Sequence, residues 1–287
     1  MKPTSQIQSD VQAETHHALT ALNWVGMGQI QSSLNIGTFN TPVLLDLGVN
    51  LKAGYRGIHM SRLYQIHQDY FLHQKLHGDQ FATFLKMALE SQAELSDQIM
   101  MKTSLQFPMQ TKSLKSERPG FRNYPVQVIV ERNATTQTNF LQFEVLYSST
   151  CPQSASLSME ILKSQTTMPE RLPATPHAQR SRAQVRVQIK NFFDERIREL
   201  ILLTEGVLKT PVQTAVKKAD EMEFAVLNAQ NLMFCEDAAR LVAEALVSQA
   251  DILGFSVFCE HQESLHPHNA SSLIVHNLKA QSGLTFS

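Results

Sequence analysis

The sequence predicts an α+β fold, with antiparallel sheets that carry pairs of helices on one face. Several short segments alternate apolar and polar residues with period two, as half-buried strands do. Others carry apolar stripes at helical spacing. In chain order these run strands, two helices, two strands, then strand, two helices, two strands. A strand–strand–helix–helix–strand–strand unit therefore occurs twice in element order, without a residue-level repeat.

Residues 1–35 are rich in Gln, Ser and Thr and read as a weakly structured arm. A first module is expected over 36–148 and a second, carrying most candidate catalytic residues, over 149–287. In the first, Gly37–Asn50 has strand character, interrupted by Pro42 and Gly48. His59–Gln74 and Gly78–Gln98 read as helices, the second with Phe81, Phe84, Leu85 and Ala88 on one face. Lys102–Pro125 reads as a loop, punctuated by Pro108, Pro119 and Gly120 and carrying Lys112, Lys115, Arg118 and Arg122. Tyr124–Glu131 and Thr138–Ser148 then alternate as two strands around a turn at Arg132–Thr135. The Ser/Thr/Pro-rich stretch from Cys151 to Pro176 reads as a surface loop. Arg182–Lys190 alternates cleanly, with Ala183, Val185, Val187 and Ile189 on one side. Helices are expected at Phe192–Leu203 and Leu232–Gln249, and closing strands at Phe255–His261 and Ser271–Asn277.

Composition narrows the function classes. The chain has 287 residues, 43% hydrophobic and 18% charged, which is the make-up of a folded core rather than of a disordered chain. Lys and Arg total 25 against 26 Asp and Glu. A net charge of −1 gives no general attraction for nucleic acid or anionic membrane, so an anionic ligand needs a local cluster. No apolar run approaches the ~20 residues of a bilayer span. The polar N-terminus lacks the apolar heart of a secretory leader, and three cysteines do not suggest a disulfide framework. Both point to the cytoplasm.

The groups able to do chemistry are few. Cys151, in Ser-Ser-Thr-Cys-Pro-Gln-Ser, follows a strand among polar residues; an isolated Cys is usually core filler, but this setting suits a thiolate ligand or nucleophile. His177 enters the alternating strand with Arg180 and Arg182 close by, which suits an anion site. Glu221 lies in the mixed charge run Lys217–Glu223, ordinarily a solvated surface. The densest cluster is Cys259 to His268, with Glu260, His261, Glu263, His266 and His268. Histidines and acids at such spacing serve as metal ligands or general acid/base groups, and they also occur by chance. Glu236, next to Cys235 of the helical stripe, can accept two N–H groups from a guanine-like edge. The P-loop, Rossmann, zincin, α/β-hydrolase and paired-cysteine zinc motifs are absent.

Six blocks, in order, resemble the type IB GTP cyclohydrolase I family. Gly57–Arg62 is similar to its G-T-H-M-S-R block, and Ser149–Pro152 to its cysteine loop. His177–Ser181 is similar to A-H-N-Q-R-S, Lys217–Glu221 to K-R-P-D-E, Phe234–Asp237 to F-V-E-D, and Glu263–His268 to E-S-I-H-N-H. The chain departs at Gln153, where the family has a second cysteine, at Ala219 and Pro267, and in a longer segment between Cys151 and His177.

The resemblance implies two tandem tunnelling-fold modules and a homo-oligomer, a tetramer, with sites at subunit interfaces. It implies hydrolysis of GTP to 7,8-dihydroneopterin triphosphate and formate, the first step of tetrahydrofolate and pterin biosynthesis and of queuosine-type deazapurines. Cys151, Glu221, His177 and His266 would hold a divalent metal, zinc, manganese or iron. Cys151, His177, Glu263, His266 and His268 would form the catalytic shell. Glu236 would anchor guanine, and His59 and Arg62 would touch substrate. Arg62, Arg180 or Lys112 would meet the triphosphate. Two rivals remain on the residues alone. One is a tunnelling-fold nitrile reductase with a nucleophilic Cys, which needs a nicotinamide. The other is a non-catalytic purine-binding oligomer.

Overall fold

The computed structural model describes residues 11–15 and 20–278. Among these are strands β1 (Leu22–Ile36), β2 (Phe39–Leu51), β3 (Gln98–Lys112), β4 (Pro119–Asn133), β5 (Gln137–Thr150), β6 (Ala178–Ile189), β7 (Ile252–His261) and β8 (Ala270–His276). The α-helices are α1 (Met60–Tyr70), α2 (Gly78–Glu90), α3 (Pro152–Lys163), α4 (Asp194–Leu208), α5 (Lys218–Gln230) and α6 (Cys235–Val247). The strands follow chain order in the sheet, and the β1–β2, β2–β3, β6–β7 and β7–β8 ladders are antiparallel. The α+β expectation holds. The chain forms two compact units, residues 1–105 with 128–139, and residues 106–127 with 140–287.

In the first unit, β1 and β2 form a hairpin whose two-residue turn has Gly37 at φ +54°. Glycine is the residue that takes this conformation without strain. Inward residues of β2, Val43, Leu45, Leu47 and Val49, are all buried. Leu63 of α1 and Phe81, Phe84 and Leu85 of α2 are buried with them, and the Phe71 ring lies 5.1 and 4.9 Å from those of Phe81 and Phe84. Gly48 allows Trp24 to lie flat across β2: a Cβ there would stand 2.4 Å from the indole.

In the second unit, α6 packs on β7 and β8 and beside α4. Ala238, Ala239, Val242 and Leu246 are its buried stripe, and Ile197, Leu200 and Ile201 that of α4. Burying an aliphatic side chain contributes about 1.5–3 kcal/mol. The alternation over 182–190 becomes β6, with Ala183, Val185, Val187 and Ile189 buried as expected.

Several expectations are corrected. The arm of 1–35 is shorter than expected, because Leu22–Ile36 is a strand whose Ile30, Leu34 and Ile36 are buried. Residues 1–10 and 16–19 of that arm lie outside the described residues. The supposed loop of 102–125 is mostly β3 and β4, joined by the short turn 113–118. Ile99, Met101, Thr103, Leu105 and Phe107 alternate inward there, a pattern obscured by Pro108 and the lysines. Arg122 is not a loop cation: it pairs with buried Glu205, which also accepts from the Tyr124 hydroxyl at 2.7 Å. The stretch after Cys151 contains α3, started by Pro152 at its first turn with the Cys151 side chain as its N-cap. None of its residues is buried, so the surface position was right and the loop was not. The charge run 217–223 opens helix α5. The ββααββ run of β1–β4 closes at Asn133, and β5 opens at Gln137, with α3 between β5 and β6 and α4, α5 and α6 between β6 and β7.

Candidate functional site

Antiparallel pairing brings four chain ends of the second unit together. β6 begins at Ala178, β7 ends at His261 and β8 begins at Ala270, with Ser181 opposite His261 and His261 opposite Ala270. β5 ends at Thr150, and the Cys151 amide donates to the His177 carbonyl at 3.2 Å. Cys151, His177 and the 262–269 turn therefore gather at one end of the sheet.

At that end Cys151 and His177 are half-buried. The Cys151 sulfur accepts weakly from the Ser154 amide at 3.5 Å, and the Ser154 hydroxyl accepts from the His177 amide at 3.2 Å. His177 Nδ1 lies 3.1 Å from Gln179 Oε1 and 3.5 Å from Glu263 Oε2. His266 and His268 are exposed, with stacked rings 5.1 Å apart at 11°. Their segment bends, so they share a face through the turn and not through an extended strand.

The start of α6 lies near the same end. The Met233 amide donates to the Thr150 carbonyl at 3.3 Å, and the Ser272 hydroxyl donates to the Cys235 carbonyl at 2.7 Å. Glu236 is exposed on the first helical turn. A backbone N–H and then the Cys235 thiol, 3.2 Å away, hold its carboxyl below the ordinary glutamate range. It is ionised and open to a ligand.

The other two cysteines differ from Cys151. Burial pushes the Cys235 and Cys259 thiols up to about 11 and about 12, so both stay protonated at neutral pH. His261 is also buried, 2.9 Å from the Tyr147 hydroxyl, and burial pushes its imidazole down to about 4. Glu260 is occupied by Arg182 at 3.0 Å.

Glu221 lies on α5. It is exposed near the start of α5, whereas the far end of that helix meets β5 through Asn228, which accepts from the hydroxyls of Ser148 at 2.6 Å and Thr150 at 3.3 Å. Seven residues of helix separate Asn228 from Glu221, about 10 Å along the axis. The helix start is pinned by Asp220, a residue the sequence reading passed over. Asp220 is fully buried and accepts from the Lys115 and Ser116 amides, the Ser116 hydroxyl and the Lys217 amide at 2.6–2.8 Å. The Ser116 side chain, then backbone amides, hold its carboxyl well below the usual range.

His59 and Arg62 belong to the first unit. Gln92 brackets the His59 backbone, accepting from its amide at 2.9 Å and donating to its carbonyl at 3.3 Å. Arg62 is exposed and donates to the Ser91 carbonyl at 3.1 Å. Arg180 is exposed, and Lys112 pairs with Glu117 at 3.4 Å.

Thiol, imidazole and carboxylate are the donors a divalent zinc, manganese or iron ion takes. Among the described residues, no three such groups lie close enough together to hold one. Cys151 and His177 are joined through their backbones, by the Cys151 amide and the His177 carbonyl.

The chain matches the family model described as type I GTP cyclohydrolase folE2 over residues 9–272. It is 38% identical to GTP cyclohydrolase FolE2 of Bdellovibrio bacteriovorus, covering 97% of this chain and 99% of that protein. FolE2 proteins of Pseudoalteromonas translucida and Serratia proteamaculans are 37% and 38% identical, covering 88% and 93% of this chain and 92% and 94% of theirs. Among solved structures, a highly active BTUO mutant superposes with TM-score 0.50 at 9% identity, covering 88% of this chain and 99% of its own. A uricase from Arthrobacter globiformis gives 0.47 at 11%, covering 91% and 96%. The fold is the uricase-like tunnelling fold. The chain belongs to the type I GTP cyclohydrolase family, in its folE2 group.

Proposed function

We propose that this chain hydrolyses GTP to 7,8-dihydroneopterin triphosphate and formate, at the entry to tetrahydrofolate and pterin biosynthesis. The observation that carries this reading is the gathering of Cys151, His177 and Glu263 at one sheet end, with Glu236 and the His266–His268 pair on adjoining segments. The family match spans all six residues.

A divalent ion, zinc, manganese or iron, would be held by Cys151 and His177, with Glu221 and His266 completing the set. When bound, such an ion supplies an activated water at neutral pH. Glu236 presents its two carboxylate oxygens to the ring N–H and exocyclic amine of guanine and so orients the base. Glu263 stabilises charge on His177, and His266 and His268 stand where protons must reach the ring nitrogens as carbon 8 is released as formate. His59 and Arg62 would contact the substrate, as the resemblance implies.

The ~10 Å of helix between Glu221 and the point where α5 touches β5 supports a second copy of the chain as its source for the same ion. That supports a homo-oligomer, a tetramer, with shared sites. The run β1–β4 with α1 and α2, and the run β5–β8 with α3 to α6, would be its two tunnelling-fold modules, and the cytoplasm would be its compartment. The test is formate release from GTP, with bound metal measured in the same sample. Stoichiometric formate with about one metal per chain is expected. GTP binding without formate would identify a non-catalytic purine-binding protein instead.

A further inference from the structure

We infer that Gln179 is a positioning residue that fixes the ring tautomer of His177, so that Nδ1 carries the proton and Nε2 presents a lone pair. This rests on the role proposed for His177 and adds a residue to that site.

His177, Gln179 and Ser181 are alternate residues along the start of β6, so their side chains point to one face of the strand. Exposure falls along this file: His177 is half-buried, Gln179 is 8% exposed and Ser181 is fully buried. Ser149 of β5, also fully buried, joins them. The Gln179 amide nitrogen donates to the Ser149 hydroxyl at 2.8 Å, and the Ser149 and Ser181 hydroxyls lie 2.8 Å apart. A buried strand face is ordinarily apolar, and buried polar groups persist when each finds a partner. Here the serines use the Gln179 nitrogen, which turns its carbonyl oxygen outward to His177 Nδ1 at 3.1 Å.

A glutamine amide alone could be read either way round. Glu263 decides the matter. Its carboxylate oxygen also faces Nδ1, at 3.5 Å, and an ionised carboxylate can only accept. Two oxygens face Nδ1, so in a neutral ring the hydrogen belongs on that nitrogen. The hydrogen bond at one ring nitrogen sets what the other can do, so Nε2 is left as the ligand or base atom. Gln179, unlike Glu263 on its bent turn, is tethered in the sheet through the Ser149 hydroxyl.

The experiment uses the full chain with ¹⁵N-labelled histidine, first stripped by a chelator and then titrated with Zn²⁺ or Mn²⁺. In the wild type, His177 should show a protonated Nδ1 and an unprotonated Nε2. Gln179→Leu removes the nearer of the two acceptors, leaving only Glu263 at 3.5 Å, and should raise the share of the opposite tautomer, with metal affinity falling about tenfold or more. Gln179→Glu keeps an acceptor and should hold the wild-type tautomer. Ser149→Ala frees Gln179 without removing it and should also mix the tautomers, which covers failure of the leucine variant to fold. A wild-type ring protonated at Nε2, or folded Gln179→Leu and Ser149→Ala proteins with wild-type tautomer and metal affinity, would overturn the inference. Because the tautomer is read without GTP, an absence of formate release in the wild type would sink the proposed reaction separately.

Discussion

Two polar regions of the second unit are built in opposite ways. At the start of α5, Asp220 accepts four hydrogen bonds at 2.6–2.8 Å, fully buried, and has no bonding capacity to spare. At the sheet end, Cys151, His177 and Glu263 are half-buried and make contacts of only 3.1–3.5 Å, Cys151 with the Ser154 amide and His177 with Gln179 and Glu263. A carboxylate whose acceptor sites are filled by backbone amides holds structure. Groups with long, few bonds keep lone pairs for a ligand, and catalytic bonds are often loose until substrate arrives. Asp220 and Glu221 are neighbours in sequence, yet one is an anchor and the other is exposed.

The largest expected effect tests the sheet end. Cys151→Ala should lower GTP turnover and metal content by orders of magnitude, and Glu221→Ala should do the same. Mixing the two inactive variants and allowing subunits to exchange should restore part of the activity if the ligands come from different copies. Formate assays on the mixture check this, and no recovery would place both ligands in one chain.

A second test concerns His261, the buried neighbour of the open histidines. Its folded pKa of about 4 lies below the ordinary value of about 6.5, so the unfolded chain binds the extra proton. Stability from this group is complete above about pH 6.5 and is lost as pH falls towards 4. The full loss is on the order of 3 kcal/mol. Denaturant melts from pH 7 to 4 should show it, and His261→Phe should flatten that part of the profile.

Glu236→Gln should weaken GTP binding about tenfold, near 1.4 kcal/mol, because one acceptor becomes a donor facing a guanine N–H. Metal content should not change, and calorimetry with metal analysis separates the two. The smallest effect sharpens the contrast within α5. Asp220→Asn should lower Tm by orphaning amides in the 113–118 turn, whereas Glu221→Gln should leave Tm where it is. Equal shifts for the two would mean that Asp220 is no more an anchor than its neighbour.

The clean alternation of β6 and the apolar stripes of α2 and α6 were legible, because each buries one face against one partner layer. β1, β3, α3 and α5 were not. β1 interrupts its apolar residues with Gln, Ser, Asn and Gly and register irregularities, and β3 hides its inward residues among Pro108 and charged neighbours. α3 and α5 bury almost nothing, so they carry no stripe to read. Among candidate site residues, Cys151, His177 and the 263–268 cluster stand out by residue type and motif. Asp220 and Gln179 were missed, since what marks them is burial and bonding.

The sequence by itself determined the alternation of strand and helix, the family blocks and the donor types at their ends. These depend on short-range spacing and on side-chain chemistry. Only the tertiary structure decided which donors meet. Antiparallel register brings the ends of β5, β6 and β7 together across long chain separations, while Glu221 is carried away down the length of α5. Burial is likewise a property of the packed layers, and it is what separates the inert thiols of Cys235 and Cys259 from the half-exposed Cys151.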